Sequence, residues 1–357
     1  MRNLENKKNI EDEQQMFKYL DKSSNNILSE FNGLDLQELL DKLNYYYIFY
    51  RKKLGVKKDV TFGLEIEFEY SNILGLEEEV VSKLNKNKIL KKLIENNLQD
   101  YWNIKNEDSL LSGNEITSPI LRDKEKAWKE LKQVLEISNK YGKIIKKSAG
   151  HIHVGAQLLG ENTSFWTNFA KIWSVYENVI YRFLYGEYLS PRPYMNKYAK
   201  PISNNLWEVY KKTKNPNYDL SFMIHELSVE RDQAINFNNV CRYDKSFHTG
   251  NTIEFRCPNG SLDSTIWQNN VNLILKLLLY CISPKFNHDI IDKRHNQIDG
   301  KYNDLSWYNE IYLDQALELV DLIFTNNLDK INFLKQYLKS FETVNVNKYT
   351  KVQKFTK

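Results

Sequence analysis

The 357-residue chain carries 50 Lys+Arg against 46 Asp+Glu, a formal net charge of +4, and 41% hydrophobic residues. That apolar share can fill a core and excludes a disordered polyelectrolyte, while so weak a net charge offers no basic footprint for nucleic acid. At roughly 100–200 residues per domain, the length suits two domains or one large domain with extensions.

Three cysteines, Cys241, Cys257 and Cys281, without a C-x-x-C pair, exclude a disulfide framework and fit a reducing compartment. The opening MRNLENKKNIEDEQQ has no apolar h-region, so no signal peptide is expected. The longest apolar run, Leu273 to Ile282, is broken by Lys276 and falls short of the ~20 residues of a membrane span. A soluble, cytoplasmic protein is expected, with neither membrane nor nucleic acid as partner.

Residues 1–15 are highly charged. From Met16 to Leu54 the spacing is helical, broken at Gly33, with Asp35 placed to cap a helix bearing Leu39, Leu40, Leu43 and Tyr47. Residues 1–55 thus read as a helical N-terminal extension. The period changes at Val60, where apolar residues fall on every even position to Tyr70, the mark of a strand with one buried face. Lys124 to Tyr141 returns to helical spacing and stops at Gly142, and Ile144 to Gln157 reads as strands. Thr163 to Leu184 predicts an amphipathic helix, with Phe165, Phe169, Ile172, Tyr176, Val179 and Phe183 on one face. Ser190 to Tyr218, rich in Pro, Asn and Tyr, predicts a long ordered loop. Asn251 to Cys257 predicts a strand, and Asp263 or Ser264 caps a helix running to about Cys281. Helices near Tyr312–Thr325 and Leu328–Phe341 make 286–345 a C-terminal helical part packed on the rest, with 346–357 a loose basic tail.

Three strands share one design. Glu65, Glu67 and Glu69 alternate with Leu64, Ile66 and Phe68; His151 and His153 alternate with Ile152 and Val154; Glu254 and Arg256 alternate with Ile253 and Phe255. Each ribbon is apolar on one face and ionisable on the other. Two carboxylates roughly 7 Å apart on one face repel by about 2 kcal/mol at an effective dielectric of about 20. In a cleft that repulsion calls for a cation. Carboxylate and imidazole donors suit Mg²⁺ or Mn²⁺, and such ions bridge phosphate oxygens that an arginine can also bind. Taken singly, E-x-E is ordinarily a solvated face, H-x-H a surface pair or a metal pair, and E-F-R a cross-strand ion pair; the constellation lies in their joint occurrence. Glu115, in an extended segment ended by Pro119, and Asn236-Phe237-Asn238-Asn239, polar enough to line a pocket, join them. Arg192 and Lys197 are further candidates for a substrate carboxylate or phosphate, with solvated loop charges as the plainer reading. Cys257, by alternation, faces the core.

FGLEIEFE, EDSLLSGNEITSP, GHIHVG and NTIEFRCPNGSLD, in that order, resemble the motifs of the amidoligases, carboxylate–amine ligases with a glutamine-synthetase-like fold that are related to glutamate–cysteine ligase. The resemblance spans about residues 60–280 and makes 56–285 the catalytic domain. It implies an α+β fold, a curved antiparallel β-sheet flanked by helices, with the N- and C-terminal helical additions outside it. It also implies ATP and two or three Mg²⁺ or Mn²⁺ ions on the concave face. Carried over, Glu65, Glu67, Asp108, Glu115, His153 and Glu254 match metal ligands, and His151, His153 and Arg256 match residues at the nucleotide phosphates. Glu65, Glu254 and Arg256 match the catalytic set, with Arg256 gripping the transferred phosphoryl group. Asp108 stands where related ligases can carry Glu, and its arm is shorter. The function implied is amide-bond formation through an acyl phosphate. Its expected partners are small-molecule or peptide carboxylates and amines, and a homo-oligomer is compatible. Substrate contacts are expected at Arg192, Lys197 and Asn238. Two other readings stand beside it: a single-metal hydrolase or cupin-like enzyme using His151, His153 and Glu254, and a non-catalytic module that binds nucleotide or peptide.

Overall fold

The computed structural model describes residues 2–70, 76–107, 109–110, 113–145, 147–215, 217–228, 230–240, 251–298, 305–308 and 310–339, with backbone alone at 2–10, 305 and 306. Asp108, Cys241 and the 346–357 tail lie outside the described residues.

Seven strands among the described residues form one antiparallel sheet: β1 (Phe62–Tyr70), β2 (Asn103–Asn106), β3 (Gly113–Thr117), β4 (Gly142–Lys143), β5 (Gly150–Gly155), β6 (Ile235–Asn236) and β7 (Thr252–Phe255). The spatial order is β2-β3-β1-β5-β7-β6, with β4 paired to the far end of β1. The helices are α1 (Arg2–Lys22), α2 (Leu36–Leu43), α3 (Glu78–Glu95), α4 (Glu125–Tyr141), α5 (Thr163–Leu184), α6 (Met195–Tyr198), α7 (Ser203–Lys212), α8 (Leu220–Leu227), α9 (Ser264–Cys281), α10 (His288–Ile298), α11 (Leu313–Ile323) and α12 (Asn327–Tyr337). The architecture is α+β, as expected.

The alternation of β1 decides which way the sheet faces. Phe62, Leu64, Ile66, Phe68 and Tyr70 are all buried against helices. Phe62 stacks on Trp128 of α4, and Phe255 of β7 meets Phe169 and Trp173 of α5. Burying side chains of this size contributes roughly 1.5–3 kcal/mol each. Gly150 is a steric requirement of that packing, since a Cβ there would lie 2.1 Å from the Trp267 ring of α9.

The amphipathic expectation for α5 is corrected. From Trp166 to Leu184 the helix is buried except at Thr167's edge, because α7, α9, α10, α11 and α12 surround it. A helix wrapped on every side has no solvent face to keep polar. Its Glu177 is fully buried and accepts from Trp173 Nε1 at 2.9 Å, the amides of Ile202 and Ser203, and the Tyr308 hydroxyl at 3.0 Å. Since Ile202 offers no side-chain cap, this carboxylate satisfies the free amides at the α7 N-terminus. The expected loop from Ser190 to Tyr218 therefore contains α6 and α7, held by a contact from a distant helix.

The segment before β1 is tied to the back of the molecule. Arg51 pairs with Asp329 of α12 in a buried ion pair, and its main chain exchanges hydrogen bonds of 2.7 and 2.8 Å with the Gln268 amide of α9. Asn272 Nδ2 donates to the same Asp329 at 2.9 Å. Asp35 and Glu38 form the capping box of α2, and Asp263 caps α9. No described helix is long and apolar enough to cross a membrane.

Candidate functional site

With the apolar face of the sheet covered, its other face carries every ionisable residue of the three ribbons. Register brings them together. Glu65 stands opposite His151, Glu67 opposite Glu115, and His153 opposite Glu254. All six line one cavity of about 730 Å³, and Arg192 and Arg256 share its wall.

Two clusters emerge within it. Oxygen and nitrogen atoms of Glu65, His153 and Glu254 all lie within 4.8 Å of one another, and so do carboxylate oxygens of Glu67, Glu107 and Glu115. Neighbouring strands lie about 4.8 Å apart, so side chains opposed across β1, β3, β5 and β7 converge on this scale, and Glu107 joins them from just past the end of β2.

The first cluster is strongly polarised. His151 Nδ1 lies 2.8 Å from Glu65 Oε2 and 3.5 Å from Glu254 Oε1, and His153 Nε2 lies 3.2 Å from Glu65 Oε1. Burial opposes ionisation of Glu65, yet the two imidazoles hold its carboxyl well below the usual range. Glu254 behaves alike: burial is outweighed by His151, Arg256, His153 and the 2.7 Å bond from Asn236 Nδ2. Burial also works against charging His153, and the facing carboxylates raise its pKa nonetheless. Arg256 Nη1 forms an ion pair with Glu254 Oε1.

The second cluster is short of positive charge. Burial raises the pKa of Glu67 and of Glu115, with Glu65 adding repulsion at Glu115. Glu67 Oε2 accepts from the Ala149 amide at 2.8 Å, and Lys105 Nζ lies 2.9 Å from Glu115 Oε1.

Both donor sets fit a divalent cation. His153 Nε2 and Glu115 Oε1 are buried without an aligned hydrogen bond, although each has an opposite charge near it. Three carboxylates form a hard all-oxygen set, and two carboxylates with one imidazole form a borderline one.

Of the residues expected from sequence, Glu65, Glu67, Glu115, His151, His153, Glu254 and Arg256 converge here. Asp108 lies outside the described residues, and the described carboxylate beside Glu67 and Glu115 is its neighbour Glu107. Its signal lies in register: Lys105 pairs with Glu115, so odd positions at and just past the end of β2 face the site. Arg192 and the exposed Lys197 also line the cavity. Asn238 is exposed and is not among the described lining residues. Asn239 lines the wall and Asn236 bonds Glu254. Tyr194, in the left-handed region at φ +66°, and Tyr198 line the cavity and carried no sequence signal. Cys257 is buried, its thiol pushed up by desolvation, and it packs in the core.

An antiparallel sheet with one face given over to paired acidic clusters, imidazoles and arginines defines an α+β protein with one strongly ionisable cavity on its sheet. The family model described as "Putative amidoligase enzyme" matches residues 58–278, and the chain belongs to that amidoligase family. No curated protein matches the chain. Among solved structures it is similar to one described as a novel glutamine synthase homolog, at 11% identity and a TM-score of 0.41. That alignment covers 79% of this chain and 65% of the other.

Proposed function

We propose that this chain is an ATP-dependent carboxylate–amine ligase that activates a carboxylate as an acyl phosphate and joins it to an amine. The observation that carries the reading is the opening of both acidic clusters into one cavity with Arg256 on its wall. Transfer of a phosphoryl group to a carboxylate brings anion against anion, so catalysis rests on positioning and charge neutralisation. Glu65, His153 and Glu254 would hold one Mg²⁺ or Mn²⁺, and Glu67, Glu107 and Glu115 a second. When bound, such ions offset the charge of the polyphosphate.

Arg256 offers a planar fork to the moving phosphoryl group, a geometry that lysine cannot copy. His151 donates to Glu65 and fixes the direction of that carboxylate. A substrate carboxylate oxygen forms a bond to the γ-phosphorus as the bond to ADP breaks. The amine then adds to the acyl carbon, phosphate leaves, and a proton is released. Residues 56–285 carry this chemistry between the flanking helices, and a cytoplasmic setting supplies the ATP. A single-ion hydrolase would use the first cluster and leave Glu67, Glu107 and Glu115 without a task.

The test supplies ATP, Mg²⁺ and a panel of carboxylic acids with hydroxylamine as a generic amine. Acid-dependent ADP release with hydroxamate formation is expected, and Arg256→Lys should lower the rate by at least about 100-fold. Tight binding of one transition-metal ion with no ATP binding would overturn the reading in favour of the hydrolase.

A further inference from the structure

A second cavity, of about 470 Å³, adjoins the first and shares Arg192 and Pro193 with it. Its wall is a built one. Asn259 Oδ1 accepts from the Arg192 amide at 3.1 Å, and Asn259 Nδ2 donates to the Ser190 carbonyl at 3.2 Å. Gly260 donates its amide to the Ser148 carbonyl at 2.9 Å, and a Cβ on Gly260 would come within 3.0 Å of the Ser148 main chain.

Arg192 itself is the anomaly. It is only 7% exposed, and its guanidinium donates to the carbonyls of Pro258 and Arg256. Among the described residues no carboxylate lies within ion-pair distance of it. Of the other buried arginines, Arg51 faces Asp329 and Arg256 faces Glu254, while Arg182 donates to the Tyr337 carbonyl and lies over the Tyr337 ring, away from either cavity. Taking a guanidinium out of water costs several kcal/mol, and carbonyl bonds offset that cost without neutralising the charge. The two carbonyls engage both terminal nitrogens of a group that carries five N–H donors. Glu67, in the acidic cavity, is the carboxylate that acts on it most, from beyond ion-pair distance, and a cation so placed between two cavities can take an anion from outside the chain.

The rest of the smaller cavity limits that anion's body. Its described lining contains no acidic side chain, and Ile144, Ile145, Pro191 and Leu262 give it apolar walls. A body with positive charge would meet both Arg192 and Lys143 there, with no carboxylate in the described lining of this cavity. The volume lies within the roughly 300–1,000 Å³ range of small-molecule sites.

Resting on the ligase reading, we propose that this cavity holds the acid substrate: a small carboxylate with an uncharged, partly apolar body, of amino-acid to dipeptide size, anchored by Arg192 at the edge of the acidic cavity. Arg192 then selects which acid is presented for activation.

The experiment measures binding of N-acetyl-alanine, N-acetyl-alanyl-alanine and the cationic Nα-acetyl-lysine by calorimetry, without nucleotide, alongside the hydroxylamine assay. Arg192→Gln removes the anchor. Asn139→Trp fills the mouth from an exposed position on α4 and keeps the test intact should the first variant misfold. The neutral acids should bind at least about tenfold more tightly than Nα-acetyl-lysine, and each variant should weaken them at least about tenfold with ATP affinity unchanged. Absence of binding, equal binding of the cationic acid, or indifference to both substitutions overturns the proposal, even where hydroxamate forms. Binding as expected with no hydroxamate from any acid upholds the acid site and overturns the ligase reading instead.

Discussion

Glu65 and His151 face each other across β1 and β5, with His151 Nδ1 at 2.8 Å from Glu65 Oε2. The same imidazole nitrogen lies 3.5 Å from Glu254, so one ring spans two of the three members of the first cluster without belonging to it. Groups that orient a ligand in this way typically account for 10–100-fold in metal affinity. His151→Ala should therefore weaken Mn²⁺ binding by about that factor, read from free Mn²⁺ in an EPR titration. An unchanged affinity would mean that Glu65 is oriented without this ring.

Glu107 and Asp108 compete for one role. With the Glu107 carboxylate grouped with Glu67 and Glu115, Glu107→Gln should remove one Mn²⁺ equivalent from the calorimetric stoichiometry. Asp108→Asn should leave two equivalents. The reverse pattern would restore the assignment suggested by the motif alone.

Gly150 brackets the histidine pair, and its necessity is steric. A side chain there would drive into Trp267, which α9 lays against the sheet. Gly150→Ala should cost about 1–3 kcal/mol through overpacking, seen as a lower urea midpoint at unchanged slope. A variant as stable as the parent would show that the Trp267 ring is free to move aside.

Lys335 gives a pH signature remote from the site. Its ammonium is buried and donates to the carbonyls of Leu43 and Tyr46 at 3.0 and 2.7 Å, and burial lowers its pKa to about 8. An unfolded lysine titrates near 10.4. Between about pH 8 and 10 the unfolded chain therefore binds more protons, and stability rises with pH in that window. Its share should amount to about 1–3 kcal/mol and should vanish in Lys335→Met, measured as the difference between urea midpoints at pH 7.5 and 9.5. Identical pH slopes in the two proteins would contradict it.

What could be read from sequence was whatever depends on parity. Period-2 alternation placed Glu65, Glu67, His151, His153, Glu254 and Arg256 on the ionisable faces of their strands before any pairing was known. Register, which turns three faces into two clusters, depends on partners far apart in the chain and left no local trace. The same holds for α5: periodicity reports an apolar stripe, and only the surrounding helices make its remaining faces buried. The α7 helix in the Pro- and Asn-rich stretch has no capping signal of its own because Glu177, a residue of another helix, satisfies its N-terminus. Glu107 likewise faces the site through the β2–β3 register, which no local pattern encodes. Arg192 was visible only as a loop charge, and its depth is a property of the folded wall.

The Arg51–Asp329 pair joins a residue just ahead of the family-matched stretch to one well beyond it. Excising residues 58–278 would strip Asn272 of its acceptor and Gln268 of both its main-chain partners at once. The limits of homology are thus not the limits of a transplantable piece. A chimaera that exchanges the matched stretch with a relative's must carry both flanks along, or re-create the latch that closes behind the sheet.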